Sequence, residues 1–223
     1  KRNILKPKLI TYVAPTGTGK TLSPIGLSSE YKVIFVCAAR HVGLALAKSA
    51  ISIGKKIAFA FGCDSVDDIR LHYFAAKDYV KHNATGRDIK YRDGSKKVDN
   101  SVGDNVEIMI TDIKSYLCAM HYMIAFNYKD QHKLITYWDE PTITMDKAED
   151  DNHRYIHDNW SKNVVQNMVL SSATLPPRNM IFPIIQDFKS KFPDAIDLEI
   201  ISHDCNKSIP IVNKEGSIEM PHY

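Results

Sequence analysis

The sequence is poor in the features that most sharply restrict where a protein works. It has four cysteines in 223 residues. Cys37, Cys63, Cys118 and Cys205 stand far apart with no paired spacing, which argues against a disulfide framework or a Cys-based metal site and fits reduced thiols in an intracellular protein. The nine histidines are equally scattered; His153 and His157 lie four residues apart with no third ligand near them in sequence. No apolar run approaches the roughly 20 residues that span a bilayer, and no signal-like apolar stretch follows the basic start, so no membrane association is expected. Internal repeats and low-complexity tracts are missing too. The charge is almost balanced, 29 basic against 26 acidic residues, an excess compatible with a polyanionic partner but too small to argue for one. The chain starts at Lys1 rather than Met and ends, at 219–223, without a helix stop or a polar tail. It is expected to be a piece of a longer protein.

What is present is an ordinary globular composition, 44% hydrophobic and 25% charged, with length for one large domain or one and a half. Short apolar runs recur at 8–13, 33–38, 57–61, 106–111, 134–138, 167–172 and 197–202. Most are continuous rather than alternating, the pattern of strands covered on both faces. Helical spacing falls between them at 42–53, 66–82, 113–126 and 155–168, with Ser65 and Asp68 forming a capping-box pattern ahead of the second. Alternating strands and helices predict an α/β fold with a mostly parallel sheet and helices on both faces. Two segments break this rhythm. Residues 83–105 are polar and turn-rich, with Arg87, Lys90, Arg92, Lys96 and Lys97 outweighing Asp88 and Asp93, and read as a solvated insertion or a nucleic-acid contact. Residues 142–158 are polar and acid-rich, as a surface segment would be. Beyond residue 203 the periodicity fades, so 1–203 is read as the domain and 204–223 as a linker or the start of a further unit.

Three stretches carry chemistry. Residues 14–21, A-P-T-G-T-G-K-T, follow the first apolar run. Gly17 and Gly19 permit the backbone angles that turn N–H groups inward around phosphates, while Pro15, Thr16 and Thr18 complete the loop. Lys20 can reach the β- and γ-phosphates and the Thr21 hydroxyl can ligate Mg²⁺, so ATP with Mg²⁺ is the expected cofactor pair. Ala14 stands where the general pattern has its first glycine. Pro24 falls where a helix should continue, so that helix is expected to be short or kinked. Next, L-I-T-Y-W-D-E-P-T ends an apolar strand in two adjacent acids. Asp139 could hold Mg²⁺ and Glu140 could orient and deprotonate an attacking water. Finally, V-L-S-S-A-T-L-P runs a strand into hydroxyl residues, where Ser172 and Thr174 could bond the acidic pair, or simply end a strand ahead of Pro176-Pro177.

In this order and at these separations, APTGTGKT, DEPT and SAT resemble the first RecA-like domain of superfamily-two, DExD/H-box-like helicases, over about residues 8–203. The resemblance implies an ATPase motor that moves along or remodels DNA or RNA. It matches Lys20 and Thr21 to phosphate and Mg²⁺ binding, Asp139 to the metal-associated acid, Glu140 to the catalytic base, and Ser172 with Thr174 to the coupling motif. Two weaker matches, 35–47 and 108–117, assign Arg40, Thr111 and Lys114 to nucleic-acid backbone contacts, where phosphate binding needs no base reading. The departures are Thr142 in place of the family's Asp or His, no adenine-reading glutamine motif ahead of residue 14, and no Q-x-x-G-R-x-x-R motif. The resemblance therefore implies a second RecA-like domain as partner, supplying the arginine finger that contributes factors of about 10³–10⁵ in rate. The Asn- and Lys-rich surroundings of the motifs suggest an outlying branch, such as one from a large DNA virus. A P-loop phosphotransferase would account for the loop but not for SAT. An ATP-binding switch without turnover remains the non-enzymatic alternative.

Overall fold

The computed structural model describes residues 6–15, 17–76, 102–143, 150–202 and 211–220. Thr16, Cys205 and the basic segment from 83 to 101 lie outside them. The apolar runs become strands because Val, Ile and Phe fit a surface packed from both sides. They form β1 (Lys8–Val13), β2 (Lys32–Cys37), β3 (Ile57–Ala60), β4 (Arg70–Leu71), β5 (Ile108–Asp112), β6 (Leu134–Asp139), β7 (Asn167–Ser172) and β8 (Ile196–Ile201), in one sheet ordered β4-β3-β5-β2-β6-β7-β1-β8. All pairings are parallel except that of the edge strand β4 with β3. A short antiparallel pair, β9 (Ile211–Val212) and β10 (Ile218–Met220), follows in the segment read as a linker or further strands.

Successive residues of a strand point to opposite faces, and the core divides accordingly. Ile34 and Val36 of β2 join a cluster completed by α3 (Tyr116–Phe126), α4 (Asp151–Lys162) and α5 (Arg178–Lys191). Val33, Phe35 and Cys37 join the opposite cluster, covered by α1 (Ser23–Leu27) and α2 (Arg40–Ser52). The expected fold class, a mostly parallel sheet between two helical layers, is what the chain adopts. No helix among the described residues is long and apolar enough to cross a membrane. Cys37, Cys63 and Cys118 are free thiols, and no cluster of potential metal ligands occurs among the described residues.

Several elements differ from the sequence expectation, each for a local reason. The helix expected from residue 66 is a single 3₁₀ turn, Val66–Asp68, closed by the expected Ser65–Asp68 capping box. The chain then turns extended at Ile69, which buries its side chain, and Leu71 pairs with Ala58 at the sheet edge. Helix α4 begins earlier than expected, with the Asp150 carboxylate accepting the Asn152 N–H at 2.8 Å. It stops at Lys162 because the Asn163 side-chain carbonyl accepts both the Val165 N–H and the Tyr116 hydroxyl, at 3.1 and 2.7 Å. Helix α5 was hidden by prolines. Pro177 precedes its first residue, where a proline is well tolerated, and Pro183 sits inside it, where it removes one backbone donor.

Candidate nucleotide site and nucleic-acid edge

Parallel strands present their C-terminal ends on one side of the sheet, and ligands of such folds bind there. The three motifs meet at that edge, at the ends of neighbouring β1, β7 and β6. The register aligns Val13 with Ser172 and Ser171 with Asp139, so the phosphate-type loop, the acidic pair and the SAT segment leave the sheet side by side.

The loop begins at Ala14, fully buried, whose N–H extends the β1–β7 ladder to the Ser172 carbonyl at 3.3 Å. Gly17 and Gly19 take φ of 83° and 88°. A Cβ on Gly19 would meet nothing within 4 Å, so glycine is needed there for its backbone angle and not for space. Thr18 donates its hydroxyl to the Pro15 carbonyl at 2.8 Å. Lys20 is 7% exposed. Its ammonium donates to the carbonyls of Ala14 and Pro15 at 2.5 and 3.1 Å, curling the side chain back over the loop. Lys20–Leu22 form a 3₁₀ turn and α1 lasts only to Leu27, with Pro24 in its first turn. The short helix expected from Pro24 is present.

Asp139, 7% exposed at the tip of β6, has its carboxyl pushed up to about 6. Burial is the main cause and the neighbouring Glu140 charge adds to it, while Lys20 opposes both. An acid held in this way gains from a cation, and Lys20, Thr21 and Asp139 supply the donor types suited to Mg²⁺-bound phosphate. Glu140 departs from the strand at φ 51°, left-handed backbone that costs a non-glycine residue about 1–2 kcal/mol. Its N–H donates to the Ser171 carbonyl at 2.7 Å. Its carboxylate accepts the Ser172 hydroxyl at 2.5 Å and the Ala173 N–H at 3.4 Å. Ser172 Oγ in turn accepts the Thr174 N–H at 3.0 Å, and the Thr174 hydroxyl stands 3.5 Å away. The structure thus brings Glu140, Ser172 and Thr174 into one network, next to Asp139 and Lys20.

A second cluster occupies the ends of β2, β5 and β3. Arg40 opens α2 and is exposed. Its guanidinium lies 5.7 Å from the Phe61 ring centroid and 3.7 Å from Asp112. Lys114 is also exposed and pairs with Asp64 at 3.0 Å. Thr111 departs from the expectation of a backbone contact. It is fully buried, and its hydroxyl lies 3.0 Å from each of the Ala60 and Asp112 carbonyls. Because β5 alternates faces, Asp112 emerges at the edge instead and accepts the N–H groups of Gly62 and Ser115, both at 2.8 Å.

Sequence reasoning passed over Tyr137, Ser171 and Asp112. Tyr137 and Ser171 sit inside apolar runs that read as core. The available signal was the hydroxyl each carries within two residues of a motif acid or serine.

No protein-family model matches the sequence, and no curated protein matches it. Solved structures are similar to it. A hypothetical ATP-dependent RNA helicase from Sulfolobus tokodaii aligns with 88% of this chain at 16% identity and a TM-score of 0.42. A DEAD box protein from Methanococcus jannaschii aligns with 87% at 16% identity and 0.47, and the yeast DEAD-box splicing factor Prp28 with 95% at 13% identity and 0.42. The chain spans just under half the length of each, 49%, 45% and 47%.

Proposed function

We propose that the chain is the ATP-binding half of a nucleic-acid-dependent ATPase, a helicase or translocase, with residues 1–203 as its first RecA-like domain. The observation that carries this reading is Glu140. An acid fixed in left-handed backbone by Ser171 and clasped through its carboxylate by Ser172 and Ala173 is oriented far more tightly than surface solvation needs. It lies next to a buried acid and a glycine loop ending in Lys20. In this reading Lys20, which here rests on the Ala14 and Pro15 carbonyls, would hold the phosphate oxygens of ATP, and Thr21 and Asp139 would hold Mg²⁺. Glu140 orients the attacking water and takes its proton. The Ser172–Thr174 segment is bonded to that carboxylate and so senses its state. Bound Mg²⁺ would supply neutralisation of the phosphate charge.

Arg40 and Lys114 would contact the backbone of DNA or RNA, with Thr111 holding the strand end from inside. A second RecA-like domain, for which 204–223 is the linker or beginning, would supply the arginine that completes the site. The chain alone should therefore bind ATP with Mg²⁺ and hydrolyse it slowly. The test is ATP turnover by the chain extended with its second domain, with and without poly(U) or poly(dT). Stimulation by polymer that disappears in Glu140→Gln supports the motor. Phosphate transfer to a small molecule without any polymer effect would assign a phosphotransferase, and binding without turnover in either form a switch.

A further inference from the structure

The Tyr137 ring is buried in the core and stacks on Phe35, with centroids 5.9 Å apart. A phenylalanine would fill that space. The hydroxyl is therefore the informative part, and it reaches out of the core to two motifs. It lies 2.8 Å from the Lys20 carbonyl and 2.9 Å from Ser171 Oγ. A carbonyl can only accept, so the phenol's single proton is shared between two facing acceptors, the Lys20 carbonyl and Ser171 Oγ. Burial pushes the phenol up to about 12, so this donor persists throughout the neutral range. Ser171 is also the residue whose carbonyl accepts the Glu140 N–H at 2.7 Å. One continuous path thus runs from the backbone of the phosphate-loop lysine, through a phenol and a serine, to the backbone of the strained acid.

We propose that Tyr137 is a positioning residue that ties the Lys20 loop to the Glu140 strand end through Ser171, so that phosphate binding and the placement of the acid are set together. The proposal rests on the nucleotide-site reading above. It requires that removing the hydroxyl alone weaken nucleotide binding, through its bonds to the Lys20 carbonyl and Ser171.

The experiment is titration of the 223-residue chain with the fluorescent analogue mant-ATP in the presence of MgCl₂, with thermal melting alongside. Tyr137→Phe should bind about 3- to 10-fold more weakly, the range for one lost hydrogen bond. Ser171→Ala should shift affinity in the same direction, and the double variant should bind no more weakly than Tyr137→Phe, because both break one path. Val169→Ala, in the same core cluster, should lower the melting temperature while leaving affinity unchanged. Affinity of Tyr137→Phe within twofold of the parent overturns the proposal. So does additivity in the double variant, or an equal loss of affinity in Val169→Ala, which would make the role one of core packing. A parent chain that binds no mant-ATP overturns the nucleotide reading and the proposal together, an outcome distinct from a parent that binds and a Tyr137→Phe that equals it.

Discussion

The Glu140 carboxylate accepts a 2.5 Å hydrogen bond from Ser172 Oγ, across the ends of two adjacent parallel strands. That contact joins the acidic motif to the hydroxyl motif, and Glu140 makes it from a backbone conformation that side chains rarely adopt. The conformation and the side-chain contacts can be separated experimentally. Glu140→Ala and Glu140→Gly lose the same carboxylate, and differ chiefly in whether a Cβ stands in left-handed backbone. Glu140→Gly should be the more stable of the two by about 1 kcal/mol, or about 2–4 °C in melting temperature for a chain of this size. Equal melting temperatures would show that the backbone there is unstrained or relaxes freely.

The Lys20 ammonium rests on two carbonyls of its own loop, so its removal should cost binding far more than folding. Lys20→Met is expected to weaken mant-ATP binding at least tenfold, about 1.4 kcal/mol, and to leave the melting temperature within a few degrees. A comparable affinity in Lys20→Met, measured by the same titration, would remove the loop from the nucleotide site.

Asp139 gives the site a pH signature of determined sign. Its folded-state value, about 6, lies above the ordinary carboxylate value of 3.8. Folding therefore favours the protonated form. The ionised acid destabilises the fold fully above about pH 6, and the penalty fades as pH falls toward 4. Asp139→Asn should raise the melting temperature at pH 8 and change it little at pH 4. Mg²⁺-dependent ATP affinity of the parent should decline as pH drops through about 6, because the protonated acid is a poor cation ligand. Melting curves and titrations at both pH values check the two signs.

The elements and motifs were legible in the sequence to different degrees. The strands were readable because continuous Val, Ile and Phe runs have few other uses in a chain of this length, and β1 and β7 fall at the expected residues. The glycine loop and the acidic pair were readable because their chemistry needs rare residue combinations at strand ends. Helix α5 was not, since three prolines in eight residues, Pro176, Pro177 and Pro183, resemble a breaker until the first two are seen to precede the helix. Thr111 misled for a subtler reason. Whether a residue at a strand end faces core or solvent depends on where the strand stops, and β5 runs one residue further, to Asp112. Tyr137 reads as core because its ring is core, and only its hydroxyl, two residues ahead of Asp139, marks it as more.

The placement of Thr111 makes its own prediction. Thr111→Val should lower stability by about 1 kcal/mol through the lost hydroxyl bond while leaving the affinity for poly(U) or poly(dT) unchanged. Arg40→Ala should do the opposite, weakening polymer binding and reducing its salt dependence by about one counterion's worth of slope. Filter binding across a salt series reads both, and a loss of polymer affinity in Thr111→Val would place that residue back at the interface.

Gly43 tests how tightly Arg40 is aimed. It lies inside α2, where alanine ordinarily stabilises a helix by about 1 kcal/mol. Here an added Cβ would come within 2.8 Å of Ile110 Cγ2, 2.9 Å of Phe61 Cζ and 3.0 Å of Cys37 Sγ. Gly43→Ala is expected to destabilise instead, as judged by denaturant midpoint, and to weaken polymer binding by displacing Phe61 from beneath Arg40. A stabilised Gly43→Ala would mean the helix can withdraw from the sheet at no cost.

The side-by-side serines of β7 have one more implication. Ser171 and Ser172 are chemically identical, yet the pleat of the strand sends one hydroxyl toward the Tyr137 phenol and the next toward the acid. Their division of labour is an address written in parity. A single residue inserted upstream in β7 and carried through to the strand end would put Leu170 where Ser171 stands and Ser171 where Ser172 stands, and a protein with every motif letter intact would be miswired.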